Sequence, residues 1–129
     1  MSTPGPDAVR SVITSYTERH SAGDVDGIVA LFAPDAHVED PVGSDPHVGH
    51  DAVRAFFAGT HELCDRLELE LTGPIRVAGA RAAFPMVARS FIGDLTMEID
   101  IIDVMAFDDD GRIAEMYAYW NMEDARTTS

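Results

Sequence analysis

The order of hydrophobic and polar positions predicts a helical first half of the chain. Apolar and aromatic side chains recur at helical spacing over residues 5–22, which predicts a first helix. Residues 24–33 and 50–62 predict a second and a third helix. Between these two helices, residues 36–40 alternate as a short strand, and proline and glycine mark residues 41–49 as a loop.

The second half of the chain alternates with the period of a β-strand. The segments that predict strands are 66–72, 75–78, 82–92, 95–107 and 112–121. An acidic turn ending at Gly111 joins the last two strands into a hairpin. Helices followed by a sheet predict an α+β fold of one domain over residues 1–129. In this fold a curved antiparallel sheet wraps around three helices and leaves a deep apolar pocket between the two layers.

The strand at 95–107 places one carboxyl group among apolar side chains. Its odd positions share a face, and Asp103 is the only acid among them. An ionised carboxylate is unfavourable there, so the group either finds a cation or stays protonated. This strand offers no arginine or lysine, and a protonated carboxyl is a hydrogen-bond donor suited to an oxyanion. The alternative interpretation is a core aspartate that is bonded to the backbone or to water. Asp100 lies on the opposite face and is expected at the surface.

Two further residues are candidates for chemistry. Tyr16 lies on the apolar stripe of the first helix, where it is either a second donor or a core tyrosine with its hydroxyl at the rim. Asp40 shares a strand face with Ala36 and Val38 and precedes a proline. It is either a general base that is aimed into the cavity or the first residue of a turn.

Composition narrows the classes of function. The chain has 129 residues, a net charge of −14 and one cysteine, Cys64. This negative charge disfavours binding to nucleic acid or to anionic membranes, and no disulfide can form within the chain. The sequence shows no signal peptide and no apolar run of membrane-spanning length, so we expect a cytoplasmic protein. The histidines lack metal-site spacing and no phosphate-binding glycine loop follows a strand, so neither a metal nor a cofactor is expected.

Several segments together resemble a known enzyme family. They are VEDPVGS at 38–44, EIDIIDVMAFDDDGRI at 98–113 and MYAYW at 116–120, with Tyr16 followed by a short loop. The chain is similar in these segments to bacterial ketosteroid isomerase (steroid Δ5-Δ4-isomerase), within the NTF2-like (cystatin-like), SnoaL-like group. The resemblance extends over almost the whole chain.

The resemblance implies a role for each candidate residue. Asp40 would be the general base of a Δ5-3-ketosteroid isomerisation, and Tyr16 and protonated Asp103 would hold the dienolate oxygen. A carboxylic acid that is kept neutral in order to donate a hydrogen bond is already known from this family. The enzyme would be a cofactor-independent homodimer with a small apolar steroid as substrate. The implied pocket-lining residues are Met86, Ile99, Met116, Ala118 and Trp120.

The chain departs from the family at two positions. Some members have tyrosines at the positions of Phe32 and Phe57, and those tyrosines support the catalytic tyrosine through hydrogen bonds. With phenylalanine at both positions, Tyr16 would act without that support. The segment 58–73 also matches less well, and it is expected to shape the mouth of the pocket.

Other functions on the same fold stay open at this stage. A SnoaL-like cyclase also transfers protons with an aspartate. An epoxide hydrolase would need an arginine between two aspartates, and Arg89, the candidate from the strand at 82–92, falls on the opposite face from Met86 and Ala88. A non-catalytic steroid- or lipid-binding module would keep the apolar pocket without needing a base.

Overall fold

Three helices and one large sheet make up the fold. The structure, a computed structural model, describes residues 3–129. The helices are α1 Pro6–Ser21, α2 Val25–Val29 and α3 His50–Glu62. The strands are β1 Phe32–Glu39, β2 His47–Val48, β3 Arg66–Leu71, β4 Arg76–Ala78, β5 Arg81–Ile92, β6 Leu95–Phe107, β7 Ile113–Tyr119 and β8 Arg126–Thr128. The α+β class is confirmed, with all three helices in the first half.

The strand order places β6 in the middle of the sheet. The order is β2-β1-β7-β6-β5-β3, with β4 paired to β5 and β8 paired to β6. All pairs are antiparallel except β1 and β7, which run parallel. The sheet is therefore mixed, whereas the sequence pattern predicted a wholly antiparallel one. Because β1 and β7 lie far apart in sequence, no hairpin constrains their direction, and the residues that follow both strands meet at one edge.

The second helix is shorter than its sequence pattern predicts. It ends at Val29, and Phe32 already belongs to β1, where it pairs with Ile113 of β7. Pairing with β7 thus outweighs the local helical spacing. The register of β1 shifts between Phe32 and His37, where Pro34 has no N–H group to offer the ladder. The sequence pattern also missed β8 and the short 3₁₀ helix at Met122–Asp124.

Local signals place α1 and α3 against the sheet. Pro6 starts α1 at a position that needs no N–H donor, and Asp7 lies in the positive first turn. Gly49 precedes α3 with a φ of 90°, a conformation that favours glycine. The buried stripe of α1 ends in Tyr16 and His20, and these two side chains are where the helix meets the cavity.

Candidate active site

A cavity of about 500 Å³ opens between the helices and the concave face of the sheet. Its wall is mostly apolar, with side chains from α3 and from β3, β5 and β6. Its polar side chains include Tyr16, His20, Asp40 and Trp120. The volume lies in the usual range for a small-molecule site. The deep apolar pocket that the sequence predicted is present.

Tyr16 stands in the cavity wall with its hydroxyl group buried. The hydroxyl donates to the sulfur of Met116 at 3.4 Å, and a thioether is a weak acceptor. The rings of Phe32 and Phe57 lie 6.2 and 6.3 Å from the tyrosine ring, centre to centre, and neither can hydrogen-bond to it. Burial raises the pKa of Tyr16 well above 10, and the charges of Asp103 and Asp40 raise it further. Tyr16 is therefore neutral, and its hydroxyl group can donate to a stronger acceptor than the Met116 sulfur.

Asp103 is completely buried in the middle of the sheet. On β6 it lies opposite Phe84 of β5 and Ala118 of β7. Within residues 3–129, neither of its carboxyl oxygens has a hydrogen-bond partner. Burial raises the pKa of this carboxyl well above 3.8, and the charge of Asp40 raises it further. This shift favours the protonated form, which can donate a hydrogen bond, and the strand pattern had predicted the apolar surroundings of the group.

The base candidate lies where the parallel strands end. Asp40 follows β1 and Trp120 follows β7, so the parallel pairing brings the two residues together. The indole Nε1 of Trp120 donates to Oδ1 of Asp40 at 2.6 Å. Burial raises the pKa of Asp40, whereas the Trp120 hydrogen bond and the charge of His47 lower it. Asp40 differs from Asp103 in that polar partners help to hold its negative charge.

The structure brings the three predicted residues into one electrostatic unit. In their ionised forms, Asp40 and Asp103 would each raise the pKa of Tyr16, and ionised Asp40 raises the pKa of Asp103. Two of the three groups stay protonated and can donate, while the third can be ionised and accept a proton. Such a set can abstract a proton and stabilise the oxyanion that results. Asp103 itself does not line the cavity but lies behind its wall.

The predicted lining residues divide into two groups. Met86, Ile99 and Trp120 line the cavity. Met116 and Ala118 are buried and do not line the cavity. The sulfur of Met116 accepts the hydrogen bond from the Tyr16 hydroxyl. The segment 58–73 contributes Leu63 and Cys64, among others, to the lining, and its role at the mouth of the pocket stays a prediction.

The sequence reasoning missed two polar features of the site. The bond from Trp120 to Asp40 depends on the parallel strands, which no local pattern reveals. His20 lies at the end of the buried stripe of α1, and its place in the cavity wall was not predicted. The signal in the sequence that could have indicated this place is a polar residue, His20, at the end of an apolar helical stripe.

The cavity lacks the features of a metal site or of an epoxide hydrolase with a central arginine, as far as the described residues show. No group of three or more His, Cys, Asp or Glu side chains in residues 3–129 could hold a metal ion. Arg89 lies on the other face of the sheet, where it pairs with Glu70 at 2.9 Å and with Glu98 at 2.6 Å. Asp100 is exposed and bonded to Arg126, as expected. None of the helices in the described part of the chain is long and apolar enough to cross a membrane.

Comparison with known proteins places the chain in a family. The model of the SnoaL-like domain matches residues 5–116. The chain belongs to the SnoaL-like family. A steroid Delta-isomerase from Nocardioides simplex is 36% identical over 120 residues, which cover 93% of this chain and 95% of that protein. The predicted kinship with bacterial ketosteroid isomerases is thereby confirmed, and with it the enzyme class, an isomerase.

A second relative of this SnoaL-like chain has a different activity. The epoxide hydrolase LasB from Streptomyces lasalocidi is 27% identical, over 98% of this chain and 46% of that protein. The chain therefore spans about half the length of this relative.

Proposed function

We propose that the protein is a cofactor-independent steroid Δ5-Δ4-isomerase that converts Δ5-3-ketosteroids into conjugated Δ4-3-ketosteroids. The observation that carries this proposal is the grouping of two buried neutral donors, Tyr16 and Asp103, with an ionisable Asp40 at an apolar cavity. The relative from Nocardioides simplex supports it, because the similarity extends over nearly the whole of both chains.

The mechanism moves one proton between two carbons of the same substrate. The carboxylate of Asp40 takes a proton from the carbon next to the ketone, and the electron pair shifts into a dienolate. Tyr16 and Asp103 donate hydrogen bonds to the dienolate oxygen, where the negative charge accumulates. Asp40 then returns the proton to a carbon two bonds further along the dienolate. No other acid is required, since both carbons lie on one face of a rigid ring system.

The two kinds of group contribute in different ways. Each preorganised donor typically contributes about 10²–10³ to the rate, and a positioned base contributes about 10²–10⁴. The apolar wall strengthens these hydrogen bonds because it keeps water away from the developing charge. For both donors to act, the substrate oxygen must reach Asp103 as well as Tyr16, so the wall in front of Asp103 has to open slightly when ligand binds.

The test is a spectroscopic assay with matched variants. Purified protein is mixed with 5-androstene-3,17-dione, and ultraviolet absorbance follows the formation of the conjugated enone. We expect turnover by the wild type, almost none by Asp40→Asn, and strongly reduced turnover by Asp103→Leu. Asp100→Asn is the control, because this acid lies on the outer face of the same strand. Normal rates in the first two variants would contradict the proposed roles.

Epoxide hydrolysis is the second candidate, and the relative LasB is the reason to consider it. Among the described residues that line the cavity there is no arginine, and Arg89 is paired on the outer face. We therefore favour the isomerase over an epoxide hydrolase that works with an arginine between two aspartates. A cyclase or a non-catalytic steroid-binding module would give no enone in the assay. The homodimer, the cytoplasmic location and the single-domain organisation stay predictions.

A further inference from the structure

His20 is a polar residue of the cavity wall for which the isomerisation has no use. It lies in the last turn of α1 and is 2% exposed. Its ring packs edge-on against Tyr16 and Phe57, with ring centres 4.6 and 4.9 Å apart. Its Nε2 atom is buried and has no hydrogen-bond partner among the described residues. An unpaired nitrogen of this kind is unfavourable, and since His20 belongs to the cavity wall, a ligand oxygen that reaches Nε2 after a small movement of the side chains would satisfy it.

The other nitrogen of His20 is engaged with a second histidine. Nδ1 of His20 lies 3.0 Å from Nε2 of His61 on α3, and the two rings are stacked. Burial lowers the pKa of His20 to about 3, and His61 adds to this effect, so His20 is neutral at ordinary pH. A neutral imidazole has one N–H and one bare nitrogen.

The shared hydrogen bond has two possible arrangements. If His20 donates to His61, Nε2 of His20 is a bare acceptor. If the partly exposed His61 donates, Nε2 of His20 carries the proton and is a donor. The pair holds two protons in either case, so His20 can offer a donor to a ketone or an acceptor to a hydroxyl group without a change of charge.

We infer that His20 is a specificity-determining residue whose Nε2 binds a second oxygen of the cavity ligand, a hydroxyl or ketone oxygen. The inference rests on the proposed function because it concerns the ligand of the same cavity. The rings of Tyr16 and His20 lie only 4.6 Å apart, centre to centre. The second oxygen should therefore lie close to the one at Tyr16. On a 3-ketosteroid this points to the second ring or to the methyl group at the first ring junction, and not to the far end of the molecule.

The experiment compares ligands that differ by one hydroxyl group. 4-Androstene-3,17-dione and its 6β-hydroxy and 19-hydroxy derivatives are titrated into wild type, His20→Leu and His20→Gln. Trp120 is the only tryptophan of the chain and lines the cavity, so its fluorescence reports binding. We expect at least one hydroxylated ligand to lose about tenfold in affinity in His20→Leu, the value of one neutral hydrogen bond. The parent ligand should lose nothing, and His20→Gln should keep part of the preference.

A second readout uses the unmodified protein. With ¹⁵N-labelled histidine, the Nε2 resonance of His20 should move more with the preferred hydroxylated ligand than with the parent steroid. The resonances of His37 serve as the internal control, because His37 lies outside the cavity wall. An unchanged preference in His20→Leu, or equal shifts with both ligands, would overturn the inference. The enone assay on the same samples reports separately on the proposed function, since it does not depend on which ligand binds more tightly.

Discussion

The pH dependence of stability should reveal whether Asp103 is protonated in the folded protein. Its raised pKa means that the folded chain holds a proton that the unfolded chain releases above a pKa of about 3.9. At this site the folded state therefore binds more protons, and the contribution of Asp103 to the free energy of unfolding must fall as the pH rises. The fall approaches about 1.4 kcal/mol per pH unit over the range in which the unfolded carboxyl is ionised and the folded one is still protonated. Asp103→Asn keeps the shape of the side chain but has no proton to lose.

The assay is urea unfolding of both chains at several pH values between about 4 and 8. Above about pH 5, the stability of Asp103→Asn should increase relative to wild type by up to about 1.4 kcal/mol for each pH unit, until the folded wild-type carboxyl ionises. Asp100→Asn is the matched control on the same strand. Because Arg126 lowers the pKa of Asp100, this variant should show no such divergence above about pH 5. Parallel curves for wild type and Asp103→Asn would refute the argument, since they would mean that Asp103 is ionised in both states.

Further predictions concern the base, the second donor and the buried histidine. Tyr16→Phe should lower kcat by about 10²–10³ without changing the fold, which kinetics and circular dichroism would show, whereas an unchanged kcat would remove Tyr16 from the oxyanion site. Trp120→Phe removes the hydrogen bond that lowers the pKa of Asp40, so the acidic limb of the kcat/KM profile should move to higher pH. An unmoved limb would mean that Asp40 is not the titrating base. The pKa of His20 is lowered to about 3 in the folded chain, compared with about 6.5 when unfolded, so the contribution of His20 to stability should rise with pH between these values. His20→Leu should lack this contribution, and urea unfolding between pH 4 and 7 measures it.

The sequence predicted the parts of the fold that local periodicity controls. The bounds of α3 and β6 agree with the sequence pattern. Because β6 was predicted correctly, the apolar surroundings of Asp103 were predicted as well. The period of a strand decides which face a residue occupies, and a single acid among apolar side chains stands out on such a face. Burial of that face was therefore enough to predict a neutral carboxyl.

What the sequence could not supply depends on contacts between distant segments. The end of α2 is decided by the pairing of Phe32 with Ile113, and the direction of β1 by its place beside β7. That same parallel pairing brings Trp120 to Asp40, so the most specific contact of the base is also the least visible in the sequence. The pairing of His20 with His61 joins two helices in the same way. The joint action of Asp40, Tyr16 and Asp103 was inferred from family resemblance, and their electrostatic coupling in the structure supports it.

The isomerisation of 5-androstene-3,17-dione, measured for wild type and Asp40→Asn side by side, shows whether Asp40 is the base of a steroid isomerase. The wild type should form the conjugated enone rapidly, and the variant should lose at least about 10²-fold in kcat. No enone from the folded wild-type protein, or equal rates for the two chains, would contradict this assignment.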